Sequence, residues 1–201
     1  MRDLIHRLRE KGIEFADGLS VGELEESQKR YNVRFPPDLA EFLFIALPIS
    51  KNFPNWRTGF TETSAGANSI EQILHWPADG ILFDVRHDEF WLASWGDRPA
   101  SISEALVEAS RRIALAPPLI PVWGHRFLPS EPLSAGNPVL SVMQTDIIYF
   151  GDDLASYFSR EFGIEFPLKT NGQHAPRRIR FWSDVIEAED DRFRFGMTRE
   201  P

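Results

Sequence analysis

Leu119-Ile120-Pro121-Val122-Trp123, Val139-Leu140-Ser141-Val142-Met143 and Asp146-Ile147-Ile148-Tyr149-Phe150 are three short apolar runs within 32 residues. Each has the length and composition of a buried strand. Upstream, Ser101 to Leu115 places Ile102, Leu106 and Ile113, with alanine neighbours, at helical spacing. Ser101 or Ser103 would cap that helix and Pro117-Pro118 would end it. Further back, Ile81-Leu82-Phe83-Asp84-Val85 and Phe90-Trp91-Leu92-Ala93-Ser94-Trp95 flank the polar Arg86-His87-Asp88-Glu89. That pattern predicts a hairpin with a four-residue loop, with Trp91, Ala93 and Trp95 on one face of its second strand. Downstream, Asp152 to Phe162 predicts a helix, its N-terminus stabilised by Asp152 and Asp153, and Arg180 to Glu187 predicts a last one after the polar segment 169–178. Helices in runs beside short hairpin-connected strands, without regular βαβ alternation, make the expected class α+β.

The N-terminal third adds helices. Leu4, Ile5 and Leu8 form the apolar stripe of a short amphipathic helix before Gly12. Ser20 precedes Glu23 by three, the spacing of a capping box, and Asn32 suits a left-handed C-cap. Pro37 and Asp38 then open a helix carrying Leu39, Phe42, Leu43 and Ala46. Residues 48–68 show little periodicity and read as a long loop bearing Phe53, Trp56 and Phe60. Ser69 and Gln72 repeat the capping signature ahead of a short helix that Trp76-Pro77 would stop.

With 201 residues, 42% of them apolar, the chain is the size of one soluble domain able to stabilise itself on a single core. The absence of cysteine excludes disulfides, thiolate metal sites and cysteine nucleophiles, and fits a reducing cytoplasm. The start, with Arg2, Arg7, Arg9 and Lys11 among its apolar positions, lacks the uninterrupted apolar region of a secretory signal, and the apolar runs are too short to span a membrane. Of the net charge of −8, residues 36–160 supply the bulk, with fifteen acidic and eight basic side chains. An acidic centre without a basic stripe argues against nucleic acid and suits a basic partner, or simply keeps the protein in solution.

Several segments also resemble the SUKH superfamily, which includes the yeast cell-wall-synthesis regulator and many bacterial toxin-immunity proteins. They are Leu19-Ser20 with Val33-Arg34-Phe35-Pro36-Pro37-Asp38-Leu39, then Trp95-Gly96-Asp97-Arg98-Pro99, Pro121 to Pro129, Gly136 to Val142, and Asp146 to Gly151, in the family's order. The resemblance covers roughly residues 17–160, and Phe181-Trp182-Ser183-Asp184 is similar to an extension found in some bacterial members. It implies a single domain over residues 1–201 with a mixed, curved sheet flanked by helices, and a non-catalytic role in binding a partner protein. The loop 48–68 and the extension 161–201 exceed a minimal domain of that kind.

Neither a Walker-type GxxxxGK[ST], a GxGxxG nor an HExxH spacing occurs, and no GxSxG nucleophile elbow is expected. His87-Asp88-Glu89, completed by His125, is the richest metal-like grouping and would serve a small metal-dependent hydrolase, but a polar loop explains the first three and a strand-end cap or partner contact explains His125. Asp152-Asp153 reads as a helix cap, and Asp146 with Thr145 as a turn. Glu187, Glu189, Asp190 and Asp191, with arginines on either side, read as a solvated charged tail. Four of six tryptophans, Trp76, Trp91, Trp95 and Trp123, fall within 48 residues, beside Asp84, Asp88, Glu89 and Asp97. Such a set would form an acidic-rimmed aromatic groove. The candidate partner-binding residues are therefore Asp84, Asp88, Glu89, Trp91, Trp95, Asp97, Trp123 and His125. The expected function is that of an immunity-type protein neutralising a basic toxin domain without cofactor or metal. A regulatory scaffold without a toxin partner is the alternative.

Overall fold

A computed structural model describes residues 1–63, 66–165 and 175–188, and the architecture is α+β. In chain order the elements are α1 (Arg2–Glu10), β1 (Phe15–Asp17), α2 (Val21–Tyr31), α3 (Pro37–Ile45), β2 (Ala46–Pro48), β3 (Phe60–Thr63) and β4 (Gly66–Ser69). There follow α4 (Ile70–His87), a short 3-10 turn (Ala93–Trp95), α5 (Ile102–Ile113), β5 (Leu119–Trp123), β6 (Arg126–Pro129), β7 (Val139–Met143), β8 (Asp146–Gly151) and α6 (Leu154–Phe162). Residues 182–188 are helical as well. In place of one mixed sheet, the strands form three, β1-β2, β3-β4 and β5-β6-β7-β8, and every pair whose register is defined runs antiparallel.

The chain divides into two compact units. The first comprises Met1–Leu74, Pro118–Ser141 and Tyr149–Arg177, and the second His75–Pro117, Val142–Ile148 and Arg178–Pro201. In the first, local chemistry sets the helix ends where the spacing predicts them. The Ser20 hydroxyl accepts from the Glu23 N–H, the Glu23 carboxylate accepts from the Ser20 N–H, and Asn32 closes α2 in the left-handed region at φ 50°. Arg57, 2.6 Å from the same carboxylate, and then the Ser20 bonds hold the Glu23 carboxyl down to about 2. Leu4, Ile5 and Leu8 of α1 and Leu39, Phe42 and Leu43 of α3 are buried, as their spacing requires. Asp153 rather than Asp152 caps α6, accepting from the Ser156 N–H at 2.7 Å.

Stacked and edge-on aromatic rings fill the core of this unit. Phe42 stacks on Phe158 with centroids 5.0 Å apart, and Phe53 on Phe162 at 6.0 Å. Trp56 meets Phe35 edge-on at 4.8 Å and Tyr31 at 5.7 Å. Residues 48–68 are therefore no idle loop. They drive Phe53 and Trp56, 2% and 3% exposed, into the core, each side chain contributing on the order of 2–3 kcal/mol by leaving water. Asn52 anchors the segment: its N–H donates to the Glu62 carbonyl and its carbonyl accepts from the Gly124 N–H in the β5-β6 turn. The guanidinium of Arg57 donates to the Asp17 and Gly18 carbonyls, pinning the segment to the chain ahead of α2. A period cannot reveal such a plug, because its two inward aromatics follow no regular repeat.

The second unit carries the main correction to the sequence reading. Residues 81–95 are not a hairpin: α4 runs unbroken for 18 residues, with Pro77 inside it. The capping box at Ser69 and Gln72 starts α4 as predicted, with bonds of 2.9 and 3.2 Å. Pro77, Ile81, Asp84 and Val85 are all buried, a stripe of helical period that includes the proline. The proline deletes one backbone donor, and burial of its face offsets that cost. Five apolar-rich residues read alone, as at 81–85, fit strand and buried helix equally well. Phe90, Leu92 and Trp95 are buried beyond the helix, and Trp95 lies against Phe181 at 6.2 Å. The indole of Trp182 donates to the Pro117 carbonyl at 2.7 Å. Phe181, Trp182 and Ser183 are thus part of this unit's interior. Among the residues of the polar segment 169–178 and the charged tail, Lys169 to His174 and Glu189, Asp190, Asp191, Arg192 and Arg194 lie outside the described residues.

Candidate functional site

The eight candidate partner-binding residues divide between the two units. Asp84, Asp88, Glu89, Trp91, Trp95 and Asp97 belong to the second, Trp123 and His125 to the first.

Within the second unit, Asp84 and Trp95 face inward rather than toward a partner. One carboxylate oxygen of Asp84 accepts from both the N–H and the hydroxyl of Thr145, at 2.9 and 2.7 Å, and so fastens the two-residue β7-β8 turn to α4. Thr145 thus lies in the turn that the sequence predicts, and Asp84 ties that turn to α4. Truncating Asp84 to Ala would orphan two buried donors, and the protein should lose about 1–3 kcal/mol of stability in urea unfolding. Gly80, one turn before, fits here because a Cβ would lie 2.7 Å from the Gln144 Cα.

The remaining four residues form one exposed loop. Asp88 and Glu89 follow directly on α4, and Glu89 holds the left-handed conformation at φ 55°. Trp91 is half-buried, edge-on to Trp95 at 4.9 Å, and its indole donates to the Gly96 carbonyl at 2.8 Å, which brings the two ends of the segment 91–96 together. Asp97 is exposed, and Arg98 next to it donates back to the Val85 carbonyl in the last turns of α4 at 2.9 Å. Two carboxylates, Asp88 and Glu89, thus follow the C-terminal end of an 18-residue helix, and Asp97 is exposed on the same segment. That end carries the negative pole of the helix dipole, where acids are unfavourable. The left-handed Glu89 turns the chain out of the helix, the N–H groups of Asp88 and Phe90 both donating to the Asp84 carbonyl. His87, which the sequence places in the same polar run, turns its ring onto Phe83 at 4.4 Å. Among the described residues no group of three or more histidine, aspartate or glutamate side chains is arranged to hold a metal ion.

In the first unit, Trp123 is half-buried with its ring edge-on to Phe162 at 5.8 Å, and His125 sits in the two-residue turn between β5 and β6. The structure adds a polar cluster that sequence reading misses. Arg126 is 9% exposed, and its Nε meets a Glu161 oxygen at 3.2 Å while Nη1 donates to the Ser141 hydroxyl at 2.8 Å. The guanidinium carbon lies 3.9 Å from the ring centre of Phe150, and that of Arg160 lies 4.5 Å from the same ring. His125 Nε2 contacts Arg126 Nη1. Burial first, then the arginine charge, pushes the imidazole below its ordinary range, so it is neutral at pH 7 and able to accept from Arg126. His125 is thereby a brace for a buried ion pair. Burial likewise raises the Tyr157 hydroxyl far above its usual range. No sequence signal links Arg126 to Glu161, since the pair is 35 residues apart and on elements with different periods.

Contrary to the expectation that no such elbow is present, the pentad Gly18-Leu19-Ser20-Val21-Gly22 has the G-x-S-x-G spacing of a hydrolase nucleophile elbow. Its serine has an unstrained extended backbone, φ −65° and ψ 164°, and its hydroxyl is occupied in capping α2. That is the chemistry of a cap rather than of a nucleophile. No helix among the described residues is long and apolar enough to cross a membrane. Comparison with protein-family models, with curated proteins and with solved structures finds no match.

Proposed function

We propose that the protein is a non-catalytic binding protein that engages a basic partner protein through the acidic loop 88–97, in the manner of an immunity protein neutralising a toxin domain. The observation that carries this reading is the exposure of Asp88, Glu89 and Asp97 on the segment that follows α4, the first two at the negative end of that helix. Proteins accept such local costs at sites where another molecule repays them. Trp91 gives the loop a half-buried aromatic anchor whose conformation is already fixed by its bond to Gly96. The central excess of acidic residues and the SUKH-like segments support the same reading. Trp95 holds the loop in place through Trp91 and Phe181, and Asp84 holds the β7-β8 turn to α4, both without meeting the partner.

Carboxylates displayed this way would steer a cationic partner and speed its association, while the aromatic anchor slows its release. Affinity capture from the native host, washed in low and then high salt, tests this. The expected result is one basic protein released by salt and lost with the triple variant Asp88→Asn, Glu89→Gln, Asp97→Asn, whose on-rate should fall by roughly tenfold or more at low ionic strength. An on-rate indifferent to both salt and these substitutions would sink the proposal. Recovery of several housekeeping proteins would favour the regulatory scaffold.

A further inference from the structure

Helix α4 has a second exposed face, and its chemistry is symmetric about its own middle. A groove of about 390 Å³ runs beside α5 in the second unit, lined by Asp79, Leu82, Phe83, Arg86, Leu106 and Ser110, with His87 at one end. Phe83 is 48% exposed, with the His87 ring tilted against it at 4.4 Å. Along α5, Ile102 and Val107 extend the apolar surface, 43% and 71% exposed. Asp79 and Arg86 are exposed, and neither makes an ion pair among the described residues. Asp79 and Arg86 stand seven residues, two helical turns, apart, with Leu82 and Phe83 midway between them. Asp79, Leu82, Phe83 and Arg86 follow the 3-4 spacing of a helix-packing seam.

A charge of each sign at equal distances from an apolar midpoint is what a two-fold axis requires. When two copies of this helix lie antiparallel and cross between Leu82 and Phe83, Asp79 of each faces Arg86 of the other. The Phe83 rings meet at the centre, each entering the groove beside the other copy's Leu82 and Leu106. An unrelated partner would have to supply the same charge order, whereas a second copy supplies it by construction. We propose that α4 forms an isologous interface with α4 of a second copy of this chain, in antiparallel register about Leu82 and Phe83.

Sedimentation velocity over a concentration series tests the proposal with the full chain. The wild type should show a reversible dimer. Phe83→Glu should abolish it, and circular dichroism would show that this exposed site leaves the fold intact. Arg86→Asp alone sets two acids against each other twice, and Asp79→Arg alone does the same with two bases. Each should weaken the dimer by roughly ten- to a hundredfold. An equimolar mixture of the two single variants restores opposite charges at both ends of the seam. The native Asp79 and Arg86 face each other at one end and the two introduced side chains at the other, so the dimer should return as a heterodimer. A monomeric wild type throughout, a dimer indifferent to Phe83→Glu, or a mixture that stays monomeric would each overturn the proposal. Salt-released capture of a basic partner reads a different surface, so either proposal can fail while the other stands.

Discussion

Replacing Arg126 with Met should destabilise the protein by about 3–5 kcal/mol, the cost of leaving a buried charge without its counter-ion. The side chains of Arg126 and Glu161 are 10% and 14% exposed, so water cannot take over for the lost guanidinium. The same change strips the Ser141 hydroxyl of its donor and the Phe150 ring of one of its two cations. Urea unfolding followed by tryptophan fluorescence measures the effect through the shift of the midpoint. The double variant Arg126→Met, Glu161→Leu distinguishes the cause. If the uncompensated carboxylate is responsible, removing it should restore most of the stability, because well-packed apolar groups replace buried ion pairs at little cost. A double variant as unstable as the single one would instead assign the loss to packing around Phe150.

The second large effect is expected at Gly18, which sits between β1 and α2. A Cβ there would collide with the Phe44 carbonyl oxygen and would lie 2.9 Å from the Ile45 carbonyl carbon. Both are backbone atoms, held in place because the Leu43 carbonyl accepts from the Leu19 N–H at 2.8 Å. Relief would require the chain ahead of α2 to separate from the end of α3. Gly18→Ala should therefore cost about 3 kcal/mol or more, at the upper end of overpacking effects. Gly22→Ala is the control: a Cβ there meets nothing within 4 Å, and its stability should stay within about 0.5 kcal/mol of the wild type. If the two alanine variants unfold at the same urea concentration, the close approach at Gly18 is wrong.

These cases show which parts of the fold are legible in the sequence. Caps and prolines act over three or four residues, and Ser20, Asn32, Pro37 and Ser69 each mark a boundary that the structure contains. Burial over a whole helix is equally legible in α1 and α3, where one apolar stripe dominates. Strand β6 is hidden because Arg126 at its start reads as surface, whereas its charge is neutralised by a glutamate on α6. Of the candidate site, the three exposed carboxylates and Trp91 are legible from local polarity. The burial of Asp84 is not, because its partner, Thr145, lies 61 residues downstream. The burial of Trp95 is not either, because Phe181, which covers it, is farther still.

The stacking of Phe42 on Phe158 sets a schedule as well as a contact. Rings more than a hundred residues apart in the chain share one core, so the N-terminal helices leave the ribosome long before their cover is made. Until α6 follows, Phe42 and Phe53 lack their neighbours on that side. Contacts of such long range slow folding and prolong the exposure of apolar surface. The acidic centre of the sequence, synthesised during that wait, keeps nascent copies apart by charge at the stage when they are most prone to associate.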